Sequence, residues 1–280
     1  MTNPIPKSCK NCQTQLTGLY CAECGEKQIT HADKSVLSIF SDFLNAFTNL
    51  DNKFLRSVWA LFFKPGELTT AYNDGPRNRY TKPLSLFLIA NVLLFFSEVA
   101  GVFDTPLKYQ LSSFTYSEYA VELVCDKIND REISVDDYAV GYEKVSGNYA
   151  KTLIILILPI FAFFVMIFNW SKDRFYVDHF VFSMHIFTYM ILFVMLCIMY
   201  LIAFSSFIFS APELMKLLGD PYALFVILFF LIIYLFFAIK KIYPSKNYIV
   251  IIKTIILSFL LLISVQIYRG ILFFVTFYLT

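Results

Sequence analysis

Apolar residues dominate the chain from Pro83 to its end, and short polar interruptions cut this stretch into pieces of bilayer length. The runs 153–170, 186–209 and 222–239 each hold eighteen or more residues without a charge. At about 1.5 Å of rise per residue, such a run makes a helix that nearly crosses a hydrocarbon layer roughly 30 Å thick. Lipid offers backbone groups no hydrogen-bond partner, so these runs are predicted to be helical. Two further spans are expected. One covers about 83–103, and a last one starts near Tyr248 and ends near Tyr268, with the apolar tail after Gly270 extending it or turning into the interface. The pattern therefore predicts an all-α polytopic membrane protein with about five transmembrane helices over residues 83–280. Pro159 marks a kink in the second span, read as about 151–170.

Before the spans the periodicity changes. Val36, Phe40, Phe43, Phe47, Leu50, Phe54, Val58 and Leu61 recur at steps of three and four, with Ser41, Asp42, Asn45, Asn49 and Arg56 between them. That is one apolar face of a helix closed by Pro65-Gly66, which can lie in the membrane interface or pack on the spans. With the basic linker that follows, it fills residues 35–82. The segment 104–151 is the longest polar one between spans and is expected to fold as a small extracytoplasmic cap with a short helix within 112–130.

Composition agrees with lipid as the main solvent. Hydrophobic residues make up 58% of 280, including 32 Phe, against roughly 45–50% in soluble domains. The net charge of +2 is small, but its distribution is informative. Segments 1–82, 171–185 and 240–247 hold ten, two and three Lys or Arg, whereas 104–151 and 210–221 hold five and one. Cations favour the cytoplasmic side, so the N-terminus is expected inside and, with five spans, the C-terminus outside.

The densest chemistry lies at the N-terminus. Cys9-Lys-Asn-Cys12 and Cys21-Ala-Glu-Cys24-Gly25 place four of the six cysteines within sixteen residues. Two Cys-x-x-Cys pairs joined by a short hairpin supply the four thiolates of a tetrahedral zinc site, and a full set of protein ligands makes that site structural. Residues 1–34 are too few to bury a sufficient core, so the metal would supply most of their folding free energy. Gly18 and Gly25 suit turns with positive φ. The competing reading is a tail of reduced thiols without metal. Residues 1–34 carry four Lys and three acidic groups, without the basic stripe that phosphate binding needs. That argues against nucleic acid and favours a protein partner at the cytosolic face, beside the lipid bilayer itself.

Other polar groups allow a structural or a functional reading. Arg77, Arg79 and Lys82 can hold the first span on the cytoplasmic side or grip a lipid phosphate or an acidic partner. Asn91 and Glu98 lie within the first span and can snorkel, hydrogen-bond or handle protons. Asp178 and His185, seven apart, share a helical face, whereas His179 and His185 are offset by about 120°, an awkward arrangement for one metal ion. Those three residues hydrogen-bond their neighbours or serve metal or proton transfer.

Cys9-x-x-Cys12, Gly18-Leu19-Tyr20-Cys21-x-x-Cys24-Gly25-Glu26, Phe54-Leu-Arg-Ser, Lys64-Pro-Gly66, Gly75-Pro-Arg77-x-Arg79-Tyr80-x-x-Pro83 and His179-Phe-Val-Phe-Ser-Met-His185 together resemble the bacterial DUF3667 family. Its ribbon more often ends Cys-Gly-Gln, where this chain has Glu26. The resemblance implies a bacterial inner-membrane protein and carries no activity. Three functions are then weighed: a non-enzymatic scaffold or interaction module with a structural zinc ribbon; a small-solute or ion transporter or channel using intramembrane polar residues; and an intramembrane enzyme around Asp178, His179 and His185. No catalytic residue is assigned, and no HExxH or nucleophile-elbow motif is present.

Overall fold

The computed structural model describes residues 8–9, 12–16, 18, 20–25, 52–96, 105–171, 173–208 and 221–280. The expected helix over 35–63 is therefore seen from Asn52 onward, and Glu98 lies outside the described residues. The elements are α1 (Asn52–Phe63), α2 (Glu67–Asp74), a 3-10 turn (Arg77–Arg79), α3 (Pro83–Phe96), α4 (Leu107–Gln110), α5 (Ser117–Arg131), α6 (Val135–Leu153), a second 3-10 turn (Ile154–Leu156), α7 (Ile157–Phe168), α8 (Tyr176–Ile208), α9 (Pro221–Ile242) and α10 (Asn247–Leu279). The described residues include no strand, and Ser8 and Gln15 form an isolated antiparallel bridge.

Three of these segments are long and apolar enough to cross a membrane: Arg77–Phe96, Tyr176–Leu196 and Asn247–Leu279. A fourth is added if Val135–Ala150 and Ile154–Phe168, bent by 56°, count as one broken span. The bend falls just before Pro159. Proline cannot donate to the carbonyl four residues back and its ring crowds that carbonyl, so the chain passes through the 3-10 turn Ile154–Leu156 before α7 resumes. The helix begins at Val135, well before the span start expected at 151. The polar composition of α6 hides it, but Ser134 caps it by accepting the Asp137 N–H at 3.1 Å, with Asp136 and Asp137 in the first turn.

The chain divides into two compact units, residues 1–91 with 162–258 and residues 92–161 with 259–280. In the first, α8 is the central element, with 72% of its apolar window buried. Val181, Met184, Phe187 and Ile191 are fully buried along it. Tyr189 meets Phe62 of α1 at 5.5 Å and stacks on Tyr234 of α9 at 3.7 Å between ring centroids. By contrast, α10 is the most apolar of the three single-helix spans and only 28% buried, with Ile251, Ile252, Ile255 and Phe259 turned outward. Large apolar side chains turned outward along a helix are the reverse of soluble packing and are expected where the surrounding medium is hydrocarbon.

The second unit closes the question the sequence leaves open at 248–280. The last helix is continuous for 33 residues, or about 50 Å, and runs straight through Gly270. A Cβ at Gly270 would lie 3.4 Å from the Tyr116 ring, so the bare glycine lets that ring lie close against the helix. Phe273 and Phe277 of α10 join Leu107, Ala120, Val124, Tyr138 and Tyr142 in one core. Lys127 donates to the Phe277 carbonyl and Arg131 to the Thr280 carbonyl at 2.7 Å, so cations of α5 hold the negative end of the α10 dipole. The helix expected within 112–130 is α5, and α4, α5 and α6 pack on the end of α10.

Candidate metal centre and buried polar hub

The two cysteine pairs are built alike. Gln13 donates its backbone N–H to the Cys9 carbonyl at 2.9 Å, and Gly25 donates its own to the Cys21 carbonyl at 2.9 Å. Both sit in the left-handed region, at φ 64° and 69°. Each knuckle is thus Cys-x-x-Cys followed by a residue with positive φ, which curls both thiols to one side. Gly25 fills that position as expected. Gly18 does not adopt positive φ, and the equivalent place in the first knuckle belongs to Gln13.

The knuckles bring the four ligand atoms within 4.8 Å of one another. Cys9 Sγ lies 3.6 Å from Cys24 Sγ, and Cys12 Sγ lies 3.4 Å from Cys21 Sγ. Those spacings exceed a disulfide bond of about 2.05 Å. They approach the roughly 3.8 Å edge of a tetrahedron whose sulfurs stand about 2.3 Å from zinc. The donor set therefore fits a closed tetrahedral metal site. Hydrogen bonding with the Thr14 side chain and backbone holds the Cys12 thiol down at about 6, whereas, against its backbone hydrogen bonds, burial and the neighbouring Cys12 and Cys24 thiols push Cys21 up to about 11.

A second polar cluster lies in the first unit, around the start of α8. Asp178, His179 and His185 are all buried. The Asp178 carboxylate accepts the Phe175 N–H at 2.8 Å, capping the helix. His179 Nδ1 pairs with the Tyr243 hydroxyl at 2.7 Å, and the two rings stack. His185 Nδ1 pairs with the Thr69 hydroxyl at 2.9 Å. Asn73 donates to the Asp178 carbonyl at 3.3 Å. The histidines point at different partners, as their angular offset requires, and the space around His185 is too tight for a water molecule.

Ion pairs finish the cluster at its rim. Arg174 grips Asp74 through both nitrogens, at 3.0 and 2.7 Å, which favours the charged guanidinium despite its partial burial. Lys241 bonds Glu67 and, despite partial burial, holds its carboxyl below the ordinary value. Four partners here, Glu67, Thr69, Asn73 and Asp74, come from α2, eight residues that read as linker. The Tyr243 contact was equally illegible, since no spacing links positions 179 and 243. The one usable signal was Gly66, which sits at φ 81° and turns α1 into α2.

The remaining candidates are dispersed. Arg77 donates to the Tyr72 carbonyl at 2.6 Å and lies 4.4 Å over that ring, which commits it to the fold. Arg79, 5.6 Å from the Tyr80 ring, and Lys82 are exposed. Asn91 is half-buried on α3.

A helical chain with apolar segments of membrane length and four convergent thiols is thus defined. Residues 51–95 match the family model described as Protein of unknown function (DUF3667), the family that the motifs resemble. The matched stretch covers α1, α2, the first 3-10 turn and nearly all of α3; the cysteines and histidines lie outside it. No curated protein and no solved structure matches the chain.

Proposed function

We propose that the chain is a non-enzymatic, polytopic protein of the bacterial inner membrane, in which Cys9, Cys12, Cys21 and Cys24 hold a structural zinc ion at the cytosolic face and the ribbon contacts a protein partner. The carrying observation is the convergence of four sulfurs at tetrahedral spacing, which leaves a bound ion no open position for substrate or water. The metal would tie the two knuckles together; Thr14, Gln13 and Gly25 orient the thiols towards it.

The span count we propose is five: α3, the broken α6–α7 pair, α8, α9 and α10. Internal contacts support the proposed orientation. Asp74–Arg174, Glu67–Lys241 and His179–Tyr243 join the three cation-rich segments assigned inside. Lys127–Phe277 and Arg131–Thr280 join the cap and the C-terminal end assigned outside. The hub speaks for a scaffold over a transporter, because the buried histidines are engaged within the protein and the space beside His185 admits no water.

Metal analysis of the detergent-purified protein tests the site, with one zinc per chain expected and none in the Cys21→Ser/Cys24→Ser variant. Pull-downs in mild detergent with both forms test the partner. An unchanged partner list removes the ribbon's interaction role, and a metal-free native chain removes the site.

A further inference from the structure

The helix α1 carries apolar residues on two sides. Ala60 and Leu61 are buried against the first unit, and Phe62 meets Tyr189 of α8. On another side Leu55, Trp59 and Phe63, spaced at four residues, form a ridge that is 71%, 53% and 70% exposed. Large apolar side chains in such a row do not stand against water without a reason. Among the described residues of α1 the charged groups are of one sign. Lys53, Arg56 and Lys64 are exposed, and the α1 sequence from Asn52 to Phe63 holds no acidic residue.

More positive charge stands beside it. The Thr81 N–H bonds Ser57 of α1 at 2.8 Å, which ties the basic turn of Arg79 and Lys82 to this helix. Arg79 lies 5.6 Å from the Tyr80 ring, and Arg56 is near enough for its charge to act on the same phenol. Lys64 lies 5.2 Å over the Trp59 ring. Apolar ridge, indole and cationic border are the combination that suits the boundary between acyl chains and anionic headgroups.

We infer that α1 lies in the membrane interface, with Leu55, Trp59 and Phe63 dipped into the acyl boundary and Lys53, Arg56, Lys64 and Arg79 against anionic lipid headgroups. Over the described residues α1 is twelve residues, about 18 Å, and carries Lys53 and Arg56, which suits the interface better than the hydrocarbon core. Its inner face is already taken by the protein, so it is held flat beside the first span that follows at Pro83. The occupant is lipid, because a ridge this apolar with a border this cationic matches an anionic leaflet on both counts. This inference rests on the chain crossing the bilayer and is independent of the thiolate site.

The test uses the full-length chain in nanodiscs of phosphatidylglycerol and phosphatidylcholine. The Trp170→Phe variant leaves Trp59 as the single tryptophan of the two, and lipids brominated at shallow or deep acyl positions report its depth. Trp59 emission is expected to be quenched at least twofold more by shallow bromines than by deep ones. Should Trp170→Phe fail to assemble, the difference between wild type and Trp59→Phe gives the same quantity. Quenching by neither lipid places the ridge against protein or water and overturns the inference. Deeper quenching by the chain-centre bromines makes α1 part of a span and overturns it as well. Replacing phosphatidylglycerol by phosphatidylcholine should reduce the shallow quenching of the parent further than that of an Arg56→Gln/Lys64→Gln variant; an equal response in both removes the headgroup role of the cations.

Discussion

Gly66 carries the tertiary arrangement of α2, and its replacement by alanine should be costly. Its φ of 81° lies in the left-handed region, where a Cβ costs about 1–2 kcal/mol. An added Cβ would also stand 3.1 Å from the Ala238 carbonyl oxygen and 3.3 Å from the Ala238 Cα, both backbone of α9. Backbone cannot swing aside as a side-chain tip does, so α2 or α9 must shift, a disturbance typically worth about 1–3 kcal/mol. The two together predict a loss on the order of 2–5 kcal/mol, which for a chain of this size means roughly 4–20 °C in Tm. Gly141 is the internal control. It lies within α6, has no positive φ, and a Cβ there meets only the Thr280 methyl at 3.6 Å. Gly141→Ala should therefore leave Tm unchanged or raise it slightly. The assay is thermal unfolding of both variants in one detergent, followed by intrinsic fluorescence and by loss of the monodisperse peak in gel filtration. Gly66→Ala melting with the wild type, or no worse than Gly141→Ala, would refute the reasoning.

Three other expectations follow from the same contacts. Thr69→Val leaves a buried histidine nitrogen at His185 without its partner, a loss of about 1–3 kcal/mol; Thr69→Ser should recover most of it in the same melting assay. In the knuckles, Gln13→Gly should strengthen metal retention against a chelator and Gly25→Val weaken it, because both positions hold positive φ. Swapped or absent effects on the rate of metal release would discredit the paired-knuckle geometry. Glu67 has a lowered folded pKa, with the Lys241 hydrogen bond as the largest cause, so its contribution is present at neutral pH and above the ordinary carboxylate value. It disappears as acid titrates the group through its lowered folded value. The pair is part-exposed and contributes about 1 kcal/mol or less. The stability gap between wild type and Glu67→Gln should accordingly begin to narrow as pH falls through the ordinary carboxylate value and vanish once it passes the lowered folded value, and a gap that never narrows in acid would rule the ion pair out as its source.

Much of the architecture could be read before any coordinates. Uncharged runs of bilayer length announce membrane helices, because lipid leaves the backbone no other arrangement. Paired Cys-x-x-Cys announces convergent thiols because a tight turn after each pair is a local property of a few residues. Reading failed where polar helices were concerned. Residues 67–74 are short and polar, and in 135–153 the steps of three and four between Val135, Tyr138, Tyr142, Val145, Tyr149 and Leu153 are masked by interleaved polar residues; both are held by Ser134 as a cap, by the Gly66 turn and by packing against α8, α9 and α10.

The sequence by itself determined the apolar runs of membrane length, the helical class and the cluster of sulfurs, since each depends on neighbours within about twenty residues. Only tertiary structure decided that Asp178, His179 and His185 face Phe175, Tyr243 and Thr69 and not one another. It also decided that the last helix runs unbroken to pack against α4, α5 and α6, and that positive φ falls on Gln13 and not on Gly18. The physical reason is range. Hydropathy and turn chemistry act locally along the chain, whereas the pairing of position 69 with 185, or 127 with 277, depends on how whole helices cross, and no short stretch of sequence encodes it.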